Sequence, residues 1–206
     1  MSTRRCVTSS SPINRLDVVT RRLLPALALV LALSHAQAAA SPWTDPRAIP
    51  LVDQGGRTFR LNDFAGTPVV LTFVAARCTD ACPIANAAFA RTYARLRHDR
   101  IAVRFVTVTL DPDHDSPLVM AGLARPFGVD REAWRFASGR PADVRQLMRS
   151  LRVDVEPDAH GVPDSHSTSV YILDRDVRLA RTLLLSTALT PEVEDAVLKL
   201  PPRSEL

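Results

Sequence analysis

Val69-Val70-Leu71-Thr72-Phe73-Val74-Ala75-Ala76-Arg77-Cys78-Thr79-Asp80-Ala81-Cys82-Pro83 is the segment that decides how the chain folds. Residues 69–74 form an almost unbroken run of β-branched, aliphatic and aromatic side chains, the pattern of a strand buried on both faces. From Pro83 onward Ile84, Ala88, Phe89, Tyr93 and Leu96 recur every three or four residues, with Arg91, Arg95 and Arg97 left for the wet side, so an amphipathic helix follows. Pro83 suits its first turn. Two thiols therefore stand where a buried strand ends and a helix begins. Ligands of open α/β sheets gather beyond the carboxyl ends of strands, and a helix N-terminus favours thiolate over thiol. Arg77 is expected to reinforce that preference with its positive charge and Asp80 to oppose it.

Three residues separate Cys78 from Cys82, against two in the thioredoxin-type redox pair. The i, i+4 spacing is expected to place both thiols on one helix face, about 5–6 Å apart at Cβ. There they can close a disulfide or chelate one soft ion. Two thiolates select Cu(I) or Zn over hard cations and need a third ligand from elsewhere.

The flanking sequence fills out an α/β sandwich with a mixed central sheet. Upstream, residues 51–61 read as a small N-terminal hairpin in which Gly55-Gly56 supplies the positive φ of a two-residue turn. Downstream, Ala102 to Leu110 is a second buried strand and Ser116 to Phe127 a helix capped by Asp115 or Ser116. Trp134 to Phe136 is a short strand or turn, and Ala142 to Leu151 a third helix. Ser167 to Leu173 and Val177 to Leu185 form a hairpin around Asp174-Arg175-Asp176, and Thr190 to Leu200 closes the fold as a helix.

The formal charge of +4 suggests an anionic partner until it is located. Residues 1–40 hold five of the 26 basic residues, Arg4, Arg5, Arg15, Arg21 and Arg22, and one of the 22 acidic ones, Asp17, leaving 21 of each sign beyond them. Nucleic acid is thus not an expected partner. The same forty residues read as an export signal: a basic region, the apolar run Leu23 to Leu33, and small-residue cleavage sites at 36–40. Eleven apolar residues fall short of the roughly 20 that a spanning helix needs. The expectation is a cleaved leader over 1–40, a Pro-rich arm over 41–50, a domain over 51–200, a tail over 201–206, and a periplasmic location, with membrane association only if the leader is retained. Cleavage removes Cys6, leaving Cys78 and Cys82 in an oxidising space. A loop so short gives little loop-closure stabilisation, so a reactive pair is expected rather than a structural staple.

Four histidines lie beyond the leader. His98 ends the first helix beside Arg97, and His160 sits at a loop tip. His114, in Asp111-Pro112-Asp113-His114-Asp115, belongs to an acidic loop that either binds a hard cation or turns the chain and caps the next helix. His166, in Ser165-His166-Ser167-Thr168, stands at the mouth of a strand expected in the same sheet as the one leading to Cys78. Spacing alone leaves it as either a local capping residue or a partner of the thiols.

Four segments in order resemble the Sco/SenC family of thioredoxin-fold copper-handling proteins. They are Leu61-Asn62-Asp63-Phe64-Ala65-Gly66 with Pro68 to Phe73, Cys78-x-x-x-Cys82-Pro83, Val106 to Pro117, and Ser165-His166-Ser167-Thr168 with Tyr171-Ile172-Leu173-Asp174. The resemblance implies a thioredoxin-like sandwich and copper held by Cys78, Cys82 and His166. It also implies a copper-receiving client, a subunit of cytochrome c oxidase. The chain departs from the family pattern at Thr79, where Pro is usual, at Ala76, where Thr is frequent, and at Ser165, where Asp commonly precedes the histidine. The same thiols also fit a thiol–disulfide reductase or thiol peroxidase, with Cys78 attacking and Cys82 resolving, or a copper or redox sensor.

Overall fold

The structure is a computed structural model that describes residues 45–78, 81–157, 163–166 and 169–203. The continuous apolar run becomes β3 (Val69–Val74), all six residues of which are buried. It lies inside a seven-stranded mixed sheet of order β2-β1-β5-β4-β3-β8-β9. The other members are β1 (Leu51–Asp53), β2 (Thr58–Phe59), β4 (Arg104–Thr109), β5 (Trp134–Ser138), β8 (Ser169–Leu173) and β9 (Leu179–Leu184). Strands β3, β4 and β5 run parallel, in register Val69↔Arg104 and Phe105↔Trp134. β8 pairs with β3 antiparallel, Thr72 facing Val170, and β1 pairs antiparallel with β5.

Period-two alternation divides β3 between two cores. Val69, Leu71 and Phe73 join Val144, Leu147 and Met148 of α3 (Pro141–Ser150) on one face. Val70 and Val74 join Phe89 and Leu96 of α1 (Ala81–His98), Met120 of α2 (Pro117–Ala124) and Val193 and Val197 of α4 (Leu189–Leu198) on the other. At the centre of this second core Trp134 stacks 5.5 Å from Phe127 and lies 5.4 Å from Phe89. Its buried indole N–H donates to Thr107 Oγ1 at 3.0 Å, so the polar end of the ring is satisfied.

The mixed sandwich and its hairpins follow the sequence reading, with local differences. The first hairpin loop spans four residues, 54–57, and only Gly56 takes positive φ, at 78°. Asp53 explains the longer loop: its carboxylate accepts the N–H groups of Gly55 at 2.8 Å and Arg57 at 3.0 Å. Ser116 rather than Asp115 caps α2, accepting from Val119 N at 3.4 Å. Ile84 was expected on the apolar face of α1 and is instead 68% exposed, near the start of the helix. Val177 is buried in the turn with φ of 59°, so β9 starts two residues later than its composition suggests. A separate two-stranded sheet pairs β6 (Val155–Pro157) with β7 (Pro163–His166).

Candidate thiol and metal site

The chain leaves β3 at Val74 and turns at once, Cys78 N donating to Ala75 O at 3.2 Å. Helix α1 starts only at Ala81. Cys78 therefore stands in the turn ahead of the helix and Cys82 on its first turn, so the two do not share one helix face as the spacing suggested. The half-buried Cys78 packs against both cores, at their seam.

This turn is tied down by the loop after β4. Asp115, 1% exposed, accepts the Ala76 N–H at 3.0 Å and the Thr109 hydroxyl at 2.7 Å. Ser138 Oγ donates to the Asp115 carbonyl. Asp111 accepts from Arg77 at 2.6 Å and sits 2.7 Å from His114 Nδ1, while Thr109 Oγ1 accepts the Asp111 N–H. His114 Nδ1 is also 3.0 Å from the Arg77 guanidinium. A single ring nitrogen either donates to the carboxylate or accepts from the guanidinium, so the tautomer selects the partner. Burial alone would raise the Asp111 pKa. The hydrogen bonds from Arg77 and His114 outweigh it and hold the carboxyl below its ordinary value.

Two readings of the sequence change here. Arg77 does not stand beside Cys78 as an uncompensated charge, because its guanidinium is engaged by Asp111. Nor does the acidic loop simply turn the chain. Asp111 and Asp115 hold the cysteine turn, and Asp113 pairs with Arg145 at 2.6 Å. The Asp-rich spacing signalled a polar loop but not that its partners lie 34 and 39 residues away.

His166 is the last residue of β7, opposite Val155. It belongs to the small sheet rather than to β8, whose first residue is Ser169. Because β8 runs antiparallel to β3, the amino end of β8 lies beside the carboxyl end of β3. His166 thus precedes, by three residues, the strand that starts where the chain departs toward Cys78. The side chains of Cys82 and His166, and all of Thr79, Asp80 and His160, lie outside the described residues. His98 is exposed at the end of α1.

A pocket of about 240 Å³ opens beside Cys78, lined by Ala75, Pro83 and Asn86 on one side and Gly122, Leu123, Pro126 and Phe127 on the other. Nothing in the sequence pattern announced it, since it forms between α1 and the end of α2.

The SCO1/SenC family profile matches residues 47–198, which contain the seven-stranded sheet, helices α1 to α4 and the cysteine turn. The chain belongs to the SCO1/SenC family. Among solved structures, a SCO1/SenC family lipoprotein from Bacillus anthracis superposes with a TM-score of 0.68 at 22% identity, over 73% of this chain and 91% of that one. Bradyrhizobium japonicum ScoI with copper bound gives 0.64 at 24% identity, over 74% and 97%. BsSco, described as a Sco-family cytochrome c oxidase assembly protein with a disulfide switch, gives 0.62 at 19%, over 71% and 88%. These likenesses establish for this Sco-family chain the thioredoxin-like sandwich that its motifs implied.

Proposed function

We propose that the protein is an exported copper chaperone that holds copper through Cys78, Cys82 and His166 and passes it to the copper centre of cytochrome c oxidase. The observation that carries this reading is the antiparallel β3–β8 pairing, which sets the amino end of β8, three residues after His166, beside the carboxyl end of β3 that leads to Cys78. Two thiolates and an imidazole form a soft donor set suited to Cu(I). The copper-bound ScoI structure and the assembly role stated for BsSco support the cargo and the client class. The 1–40 leader supports a periplasmic location.

Anaerobic titration of the reduced protein with Cu(I) tests the reading. One tight equivalent is expected for the wild type, with loss of at least about tenfold in affinity for Cys78→Ser and for His166→Ala, the scale of losing one ligand. Stoichiometric binding unchanged by either substitution contradicts it. The disulfide switch described for BsSco favours a second reading, thiol–disulfide reduction by the same pair. Catalytic turnover of a disulfide by copper-free protein, with His166→Ala fully active, would select that reading instead.

A further inference from the structure

The amino ends of β3 and β4 lie at the opposite end of the sheet from Cys78, about 20 Å away by the length of these six-residue strands. An open pocket of about 340 Å³ forms there between the end of α1, residues 101–103 and the segment ahead of β5, and Arg97, Arg100 and Arg104 line it with Thr67, Asp130 and Ala133. The lining thus carries three arginines against one carboxylate. Asp130 offsets little, because its carboxylate stands 3.8 Å from Arg97 Nη1 and both side chains are more than half exposed. Neutral oxygens hold two of the arginines without compensating them, Arg97 Nη1 donating to the Tyr93 hydroxyl at 3.0 Å and Arg104 Nη1 to the Glu132 carbonyl at 2.8 Å. One bond each leaves most of the five donors of a guanidinium for another acceptor. Neither Arg100 nor Arg104 has an ion-pair partner among the described residues.

The needs of the helix end do not account for the cluster. The N–H groups of Asp99, Arg100 and Ile101 take the carbonyls of Arg95, Arg97 and Leu96 at 3.0, 3.1 and 2.9 Å, closing α1 in a Schellman turn, so no side chain is required as a cap. Arg100 fills the left-handed position of that turn, with φ of 57°, where glycine is usual. Arg152 fills the equivalent position after α3, so this conformation alone does not point to a ligand. The convergence of three arginines on one concavity does.

We infer that this pocket binds a phosphate group in its dianionic form, free or as the monoester end of a lipid, through Arg97, Arg100 and Arg104. Like charges brought together repel, and a dianion cancels the surplus that Asp130 leaves. Guanidinium forks match the oxygens of carboxylate and phosphate, and bonds between ionised partners are stronger than neutral ones. A carboxylate offers two oxygens in one plane, whereas a phosphate offers its oxygens at the corners of a tetrahedron. Arginines that come from a helix end, from its closing turn and from the first residue of β4 suit the second shape. The partial negative charge at the carboxyl end of α1 opposes an anion, but it is about half a unit against three full ones. The site lies apart from the thiols and does not rest on the copper reading.

The test is a titration of the copper-free protein with inorganic phosphate, at constant ionic strength and at a pH where phosphate is a dianion, followed by the amide signals of Ala102, Val103 and Ala133. Chloride and acetate are titrated alongside. Saturable phosphate binding is expected, with both other anions at least about tenfold weaker. Arg97→Gln, Arg100→Gln and Arg104→Gln should each weaken phosphate binding about tenfold, and Asp130→Asn should strengthen it. Arg91→Gln, on the same helix but outside the pocket, should change nothing. Arg100→Gly and Arg152→Gly form a matched pair. Each relieves a left-handed residue, so the thermal midpoint of neither should fall, yet only Arg100→Gly should lose phosphate affinity. Phosphatidylcholine vesicles with and without phosphatidic acid separate the two sources: vesicle binding that needs phosphatidic acid and is competed by phosphate assigns a lipid headgroup, and phosphate binding without it assigns the free ion. Equal responses to phosphate and chloride, acetate bound as tightly as phosphate, or phosphate binding undiminished by the arginine substitutions overturns the inference. So does a thermal midpoint that falls in Arg100→Gly, or an equal loss of phosphate affinity in Arg152→Gly.

Discussion

Two turns leave neighbouring strands of the same sheet, and different side chains hold them. The turn after β8 is capped from within, Asp174 Oδ1 accepting the N–H groups of Asp176 at 2.9 Å and Arg178 at 2.8 Å, and it also receives Gly66 N at Arg175 O and Arg47 at Asp176 O. The turn after β3, which carries Cys78, borrows its support from the loop after β4, through Asp115 to the Ala76 N–H and through Asp111 to Arg77. None of these contacts of the β8 turn reaches the cysteine turn, so loss of the Asp174 cap should leave Cys78 in place. The cysteine turn is positioned by groups whose own place depends on the β3–β4 pairing, so its geometry is coupled to the integrity of the sheet.

The largest separation between the two should come from Asp115→Ala. This leaves the Ala76 N–H and the Thr109 hydroxyl without their acceptor in a site Asp115 fully buries, at a cost of about 3 kcal/mol in urea unfolding. In the folded protein the alkylation rate of Cys78 should change as well, because the turn that presents it is released. Asp174→Ala should cost about 1 kcal/mol, the scale of losing one local cap, and leave Cys78 alkylation at the wild-type rate. Equal effects of the two substitutions on Cys78 would remove the distinction between the turns.

A smaller effect is expected from pH. The folded-state pKa of Asp111 lies below the ordinary 3.8, so between the two values the unfolded chain binds more protons than the folded one. The stability it contributes is therefore complete above about pH 3.8 and is lost as pH falls through the folded-state value. Asp45, Asp53 and Glu132 are lowered too and titrate in the same acid range. The difference between wild type and Asp111→Asn isolates the part that belongs to the cysteine turn. Acid unfolding curves that stay a constant distance apart from pH 6 downward would show that Asp111 contributes nothing through its ionisation.

The same contrast explains what the sequence could disclose. β3 was readable to the residue because a strand buried on both faces is apolar at nearly every position, with Thr72 the one exception. The Asp174 turn was readable because the residues that close it are adjacent. The motif residues Cys78, Cys82 and His166 were visible as chemistry, and their family pattern as a resemblance. The clasp by Asp111 and Asp115 was not, because its partners are separated by more than thirty residues and no local period links them. The Asn86 pocket was hidden for a related reason: an asparagine and a glycine in two helices mean nothing until the helices meet. The engagement of Arg77 by Asp111 shows the cost of treating a neighbouring charge as available before its partners are known.

The measurement that bears most directly on the account is copper X-ray absorption on the Cu(I)-loaded protein, compared with its His166→Ala variant. Two sulfur scatterers and one imidazole are expected in the wild type, with the imidazole contribution absent from the variant. A wild-type spectrum without imidazole, or one that His166→Ala leaves unaltered, would contradict the assignment of Cys78, Cys82 and His166 as the copper site.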